Sequence, residues 1–140
     1  MSGPVVYLTK LVHFSAGHRL ASPRLTEAEN RAVYGPCYRP HGHNYGLEVT
    51  VKGEVGADGM VMDLGVLERT IQAALLDLVD HRDLDGDVPA LAGTITTGEN
   101  LAAAFFRMLE PRLPPGALER VALVETPNNR FEYGGEGDRP

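Results

Sequence analysis

Leu47, Val49 and Val51 alternate with Glu48, Thr50 and Lys52. Successive side chains of a strand point to opposite faces, so this run is a strand with one face in a core and the other polar. Val5 to His18 repeats the pattern. Val6, Leu8, Val12, Phe14 and Ala16 share one parity, broken by Lys10, and His18 falls on that same parity. The apolar face of two such strands has to be covered by other elements. Two segments have the spacing. Asp63 is a good N-cap for a helix whose stripe is Leu64, Leu67, Ile71, Leu75 and Leu78. Thr96 and Glu99 fit a capping box before a second stripe of Leu101, Ala104, Phe105, Met108 and Leu109.

Turn-forming residues divide these elements. Residues 19–40 read as a long excursion with a short helical turn over 26–33, and Gly53 to Gly59 form a turn. Asp83 to Pro89 break the first helix, and Pro111 with Leu113 to Gly116 end the second. Arg120 to Glu125 and Arg130 to Tyr133 read as closing strands around Asn128-Asn129, and residues 134–140 as a loose polar tail. With 140 residues, 43% of them hydrophobic, the chain reads as one domain, residues 1–140, of the α+β class.

Charge and composition exclude some functions. The net charge of −6 argues against a dedicated nucleic-acid binder. No apolar run approaches the roughly 20 residues of a membrane span. Met1-Ser2-Gly3-Pro4 lacks the features of a secretory leader, which places the protein in the cytoplasm. Cys37 is the single cysteine, so no internal disulfide forms.

The histidines carry the chemistry. His41 and His43 are two residues apart and project to one side of an extended chain, with Gly42 leaving room between them. His18 supplies a third imidazole from the neighbouring strand. Three neutral imidazoles with an open fourth position form a catalytic zinc arrangement, whereas structural zinc sites close with four ligands and lean on cysteine. A His-x-His pair alone is a weak signal, and the strand parity strengthens it. His13, on the opposite parity, reads as structural or exposed.

Cys37, four residues before His41, reads either as a further zinc ligand or as a base acidified by the metal or Arg39. Asp80-His81 follows the first helix. The aspartate either fixes the histidine's tautomer for proton transfer or the pair is a solvated helix end. Glu125 closes an apolar strand, either as a plain polar end or as an acceptor for a guanidine-like group. The capping box already accounts for Glu99.

Together, Phe14-Ser15-Ala16-Gly17-His18-Arg19-Leu20, Cys37-x-x-x-His41-Gly42-His43-Asn44-Tyr45, Leu78-Val79-Asp80-His81, Thr96-Thr97-Gly98-Glu99-Asn100 and Val124-Glu125-Thr126 resemble the 6-pyruvoyltetrahydropterin and 6-carboxytetrahydropterin synthase family, from about Leu11 to Tyr133. The resemblance implies the tunnelling fold, a four-stranded antiparallel sheet with two helices on one face. It implies subunits that join their sheets into barrels as a hexamer, a dimer of trimers, with sites at subunit interfaces. It further implies Zn2+ on His18, His41 and His43, Cys37 as general base with Asp80 and His81 as proton-transfer partners, and Glu125 as pterin anchor assisted by Glu99 and Thr97. The implied substrate is 7,8-dihydroneopterin triphosphate.

Two products are open. Three residues separate Cys37 from His41, the spacing of the enzymes that form 6-carboxytetrahydropterin for queuosine and other deazapurines, with release of triphosphate and acetaldehyde; Asp63 also fits that group. The segments 25–31 and 59–62 look more like the biopterin enzymes, which form the 6-pyruvoyl product. On spacing, the expectation is the 6-carboxy product, and the cysteine excludes the variant group with glutamate in its place. A zinc hydrolase and a non-catalytic zinc- or pterin-binding module are the competing readings.

Overall fold

β1 (Val5–His18) and β2 (His41–Glu54) pair antiparallel along their whole length, from Val5 opposite Glu54 to His18 opposite His41. This long pair is the spine of the molecule, a computed structural model that describes residues 3–135. β4 (Leu118–Thr126) adds to β2, and β5 (Asn129–Tyr133) adds to β4 through the Thr126–Asn129 turn. β3, only Arg82–Asp83, lies parallel to β1 at Ala16 and Gly17. The sheet order is β3-β1-β2-β4-β5. There are thus five strands where four were expected, and the sheet is not wholly antiparallel. Two polar residues in a turn-rich stretch carry no strand periodicity, which is why β3 is silent in the sequence.

The helices cover one face, as the two stripes require. α2 (Leu64–Ile71) is capped by Asp63, whose side chain accepts from the Val66 amide, and it buries Leu67 and Ile71. It runs through a π-helical segment, Gln72–Leu76, into the single turn α3 (Asp77–Val79). The wider π turn rotates the helix, so Val79 enters the core while Leu78, assigned to the stripe, stays exposed. Leu64, at the other end of that stripe, is exposed as well.

α4 (Gly98–Leu109) buries Leu101, Phe105 and Leu109 as read. Its cap differs from expectation. Thr97, not Thr96, is the N-cap and accepts from the Asn100 amide, so no Thr96–Glu99 capping box forms. A third helix, α1 (Glu27–Tyr34), occupies the long excursion. Thr26 and Glu29 cap it reciprocally, the sequence's true capping box. Lys10, the break in the β1 pattern, reaches to Glu68 of α2 at 3.8 Å.

The core row of β2 is Val51, Val49, Leu47 and Tyr45, all essentially inaccessible, against Phe14, which stacks on Tyr45 at 4.8 Å. The opposite face of the sheet is polar at its centre. Thr9 pairs with Thr50 at 2.7 Å, and Arg130 joins Glu48 at 2.8 Å and also Glu132. Of the expected tail, residues beyond Gly135 lie outside the described residues. No helix among the described residues is long and apolar enough to cross a membrane.

Candidate active site

The apolar row of β2 does not stop at Tyr45; it continues on the same face as His43 and His41. Register places His41 opposite His18 and His43 opposite Ala16, so three imidazoles meet where the core row ends. Their ring centroids lie 4.6, 5.1 and 5.0 Å apart. One ligating atom from each lies within 4.8 Å of the other two. His13 points to the other face and is exposed, as parity required.

The chemistry of the donors suits a metal ion. His18 Nδ1 donates to the Thr96 carbonyl at 2.9 Å, and His41 Nδ1 donates to the Arg39 carbonyl at 2.7 Å. Each bond fixes a tautomer and leaves the Nε2 lone pair directed into the cluster. Burial, then the neighbouring His41, holds the His18 imidazole below its ordinary pKa. Burial does the same for His43, partly opposed by the Glu125 carboxylate. Both rings are therefore neutral near pH 7, the state a metal ligand needs.

Tyr45 closes the floor of the cluster, with its hydroxyl 3.4 Å from His18 Nε2. Burial, reinforced by Glu125 and Asp85, pushes its phenol well above the ordinary value, so it stays protonated. Tyr45 belongs to the His41-Gly42-His43-Asn44-Tyr45 motif but has no assigned role in the sequence, although it has the parity of His41 and His43.

His81 joins His41, His43, Ser15 and Asn44 in lining a cleft of about 470 Å3. Asp80 Oδ1 lies 2.9 Å from His81 Nδ1 and also accepts from the Ser15 amide of β1. The neighbours in sequence face each other because His81 adopts φ 59°, the only positive φ outside glycine among the described residues, with its amide donating to the Ser15 carbonyl at 2.6 Å. A left-handed histidine costs conformational energy and is held here by the sheet edge. The pair is thus no frayed helix end.

Cys37 is exposed on a 3-10 turn, Gly35–Tyr38, and its carbonyl accepts from the Leu20 amide, tying the turn to the end of β1. The guanidinium groups of Arg19 and Arg31 lie 4.5 and 5.4 Å from the centre of the Tyr38 ring, which bring positive charge beside the thiol's turn. Glu125, on the inward parity of β4, faces His18, His43 and Tyr45 closely enough to influence all three. Thr97 and Glu99 stand at the first turn of α4, next to Thr96, but line neither the cleft of His81 nor the one beside His18. The structure therefore gathers His18, His41, His43, Asp80, His81 and Glu125 around one locus, with Cys37 on an adjoining turn.

A two-layer α+β fold carries an open-sided trio of histidines, two of them tautomer-fixed, that could hold a metal ion, with an acid–histidine pair beside it: a site of the metal-binding, proton-transfer class. The sequence profile described as 6-pyruvoyl tetrahydropterin synthase matches residues 7–136, and the chain belongs to this family. It is 43% identical to a 6-pyruvoyl tetrahydrobiopterin synthase of Dictyostelium discoideum, over 94% of this chain and 97% of that one. The solved structure of Caenorhabditis elegans 6-pyruvoyl tetrahydropterin synthase superposes with a TM-score of 0.93 at 41% identity, covering 97% of this chain and 99% of that one. A probable 6-carboxy-5,6,7,8-tetrahydropterin synthase of Halobacterium salinarum is more distant, 31% identical over 83% of this chain and 78% of its own length.

Proposed function

We propose that the protein is a zinc-dependent lyase that converts 7,8-dihydroneopterin triphosphate into 6-pyruvoyltetrahydropterin, releasing triphosphate. The observation that carries this reading is the meeting of His81, backed by Asp80, with His41 and His43 in one cleft. The 6-pyruvoyl product is preferred over the 6-carboxy product expected from spacing. Relatives named for the 6-pyruvoyl reaction share far more of this sequence than those named for the 6-carboxy reaction.

His18, His41 and His43 would hold the ion. When bound, zinc supplies Lewis acidity that weakens the hydroxyl and neighbouring C–H bonds of a coordinated side chain. The protein's own groups do the rest. Cys37 takes a proton from the substrate side chain, and His81 passes one on the other side. Asp80 holds the imidazole in one tautomer and stabilises its charged form. Glu125 accepts the paired N–H groups of the pterin, and Thr97 and Glu99 assist from the first turn of α4. Proton shifts reduce the ring at the expense of the side chain, so no external reductant enters.

Assembly fits the same reading. β3 covers β1 only at Ala16 and Gly17, leaving most of that edge open, and β5 forms the other edge. Tyr7 and Leu11 on the outer face are 59% and 61% exposed. Open edges of this kind offer a template for a partner strand, and we infer a homo-oligomeric barrel, a hexamer of two trimers, around a single-domain subunit. The lone thiol suits a reducing cytoplasm.

Incubation with dihydroneopterin triphosphate decides the product. Triphosphate with a 6-pyruvoyl pterin and no acetaldehyde supports the proposal. Acetaldehyde with a 6-carboxy pterin supports the second reading, which the three-residue spacing of Cys37 and His41 favours. Pterin binding without turnover points to a non-catalytic module.

A further inference from the structure

Asp83 to Pro89 first read as a simple helix breaker, yet this loop spends its carboxylates in two different ways. Two of them close the loop on itself. The Asp85 amide donates to Asp83 Oδ1 at 2.9 Å, and the Asp83 amide donates to Asp87 Oδ2 at 3.0 Å. The backbone adds an Asp87 amide bond to the Asp83 carbonyl at 2.9 Å and a Leu84 amide bond to the Gly17 carbonyl at 2.8 Å. The loop is thus fixed without any use of the Asp85 side chain.

That side chain turns toward His18 instead. Asp85 Oδ2 accepts from the backbone amide of Arg19, the residue after His18, at 2.7 Å. Asp85 Oδ1 accepts from the hydroxyl of Thr96 at 2.8 Å. Thr96 is fully buried, and its carbonyl is the acceptor that fixes the His18 ring through Nδ1. One carboxylate therefore grips both the backbone behind His18 and the residue that orients its imidazole. Hydrogen bonds to an ionised acceptor are shorter and stronger than neutral ones, which suits a fastening role.

We propose that Asp85 is a positioning residue of the metal centre, setting the direction of the His18 lone pair through Thr96 and Arg19. The inference rests on the reading that His18, His41 and His43 hold the ion. Asp85 touches neither metal nor substrate in this role; it acts through the ring that does. Groups that orient a metal-bound imidazole change metal affinity about 10–100-fold when removed.

The test measures zinc affinity by competition with a chromogenic chelator, and the visible absorption of the Co2+-loaded protein as a report on ligand geometry. Asp85→Ala and Thr96→Val are expected to weaken zinc by about tenfold or more and to shift the cobalt bands. Thr96→Ser keeps the hydroxyl and should match the unmutated protein. Asp85→Asn accepts one of the two bonds and should fall between. Asp87→Ala loosens the loop without touching Thr96 or Arg19 and should leave affinity and spectrum unchanged. Wild-type affinity in both Asp85→Ala and Thr96→Val would overturn the proposal, as would an equal loss in Asp87→Ala. If the unmutated chain takes up no zinc or cobalt, the metal reading itself fails and this one with it. Should Asp85→Ala not fold, the Thr96→Val and Thr96→Ser pair still decides.

Discussion

Asp80 Oδ1 lies 2.9 Å from Nδ1 of its sequence neighbour His81, and the same oxygen accepts the Ser15 amide at 2.9 Å. The sheet therefore aims the acid, and the acid aims the imidazole. Asp80→Asn replaces this acceptor with a neutral amide and removes the charge that stabilises the imidazolium. We expect turnover to fall by about 10²–10⁴-fold, the range for a positioned acid–base group, with zinc content unchanged. Groups that act as one unit are non-additive, so Asp80→Asn combined with His81→Ala should be little worse than His81→Ala alone. Steady-state kinetics beside metal analysis of the same preparations checks both.

Removing an imidazole separates metal loss from unfolding. His41 is partly exposed at the end of the core row, with Tyr45 below it fully buried. His41→Ala should keep the fold and its circular dichroism yet lose zinc. A ligand at about 100 times its Kd stabilises the native state by about 2.7 kcal/mol. Zinc should thus raise the Tm of the unmutated protein by several degrees and leave that of His41→Ala flat, and a chelator should reverse the shift.

The metal-free protein should weaken in mild acid. Burial holds His18 and His43 below their ordinary value in the fold, while the same rings in the unfolded chain titrate near about 6.5. Below that pH the unfolded state binds protons that the native state refuses. Stability is therefore full above about pH 6.5 and is lost as pH falls through the lower folded-state values. Urea midpoints of zinc-free protein at stepped pH values should show this loss, and His18→Gln should flatten it.

Gly98 opens α4 directly against β5. A Cβ at this position would stand 2.2 Å from the Phe131 ring, so in Gly98→Ala the ring, the helix start or both must shift. Overpacking of this kind costs about 1–3 kcal/mol. Any shift of the helix start carries Thr97, Glu99 and the Thr96 carbonyl that holds His18. We expect a lower Tm and, unlike an ordinary core mutation, weaker zinc binding; Phe131→Leu in the same chain should restore part of both.

The π segment makes a prediction that an unbroken helix would invert. Val79 is fully buried and Leu78 is 45% exposed, although Leu78 has the better helical spacing. Val79→Ala should cost about 1.5–3 kcal/mol, the scale of a buried aliphatic side chain, and Leu78→Ala distinctly less. Chemical denaturation of the two variants measures the difference.

The sequence disclosed elements that repeat and hid those that do not. Alternation in Leu47 to Lys52 and around Phe14 marked the long strands, and strand parity pointed to His18 as the partner of His41 and His43. Asp63 marked the start of α2 because a cap is a local hydrogen bond. Leu78 misled because a π turn resets the helical phase without a residue type that announces it. β3 was invisible because two residues carry no period. Thr96 passed for a cap because spacing cannot tell which of two adjacent threonines faces the helix and which turns toward Asp85 and the carbonyl contact with His18. Asp80 and His81 were ambiguous in the sequence because only the φ of His81 decides whether neighbours face each other. The product expectation rested on one spacing, Cys37 to His41, and on Asp63, and overall relatedness weighs the other way.

The histidines share one face only while β1 and β2 stay in register. A slip of one residue between the strands would turn His41 and His43 to the outer face and leave His18 alone behind. An ion that needs all three imidazoles binds only correctly aligned strands. On the proposed metal reading, uptake of the ion would proofread the longest strand pairing in the molecule, and a mispaired chain would be rejected at the same place where the finished protein works.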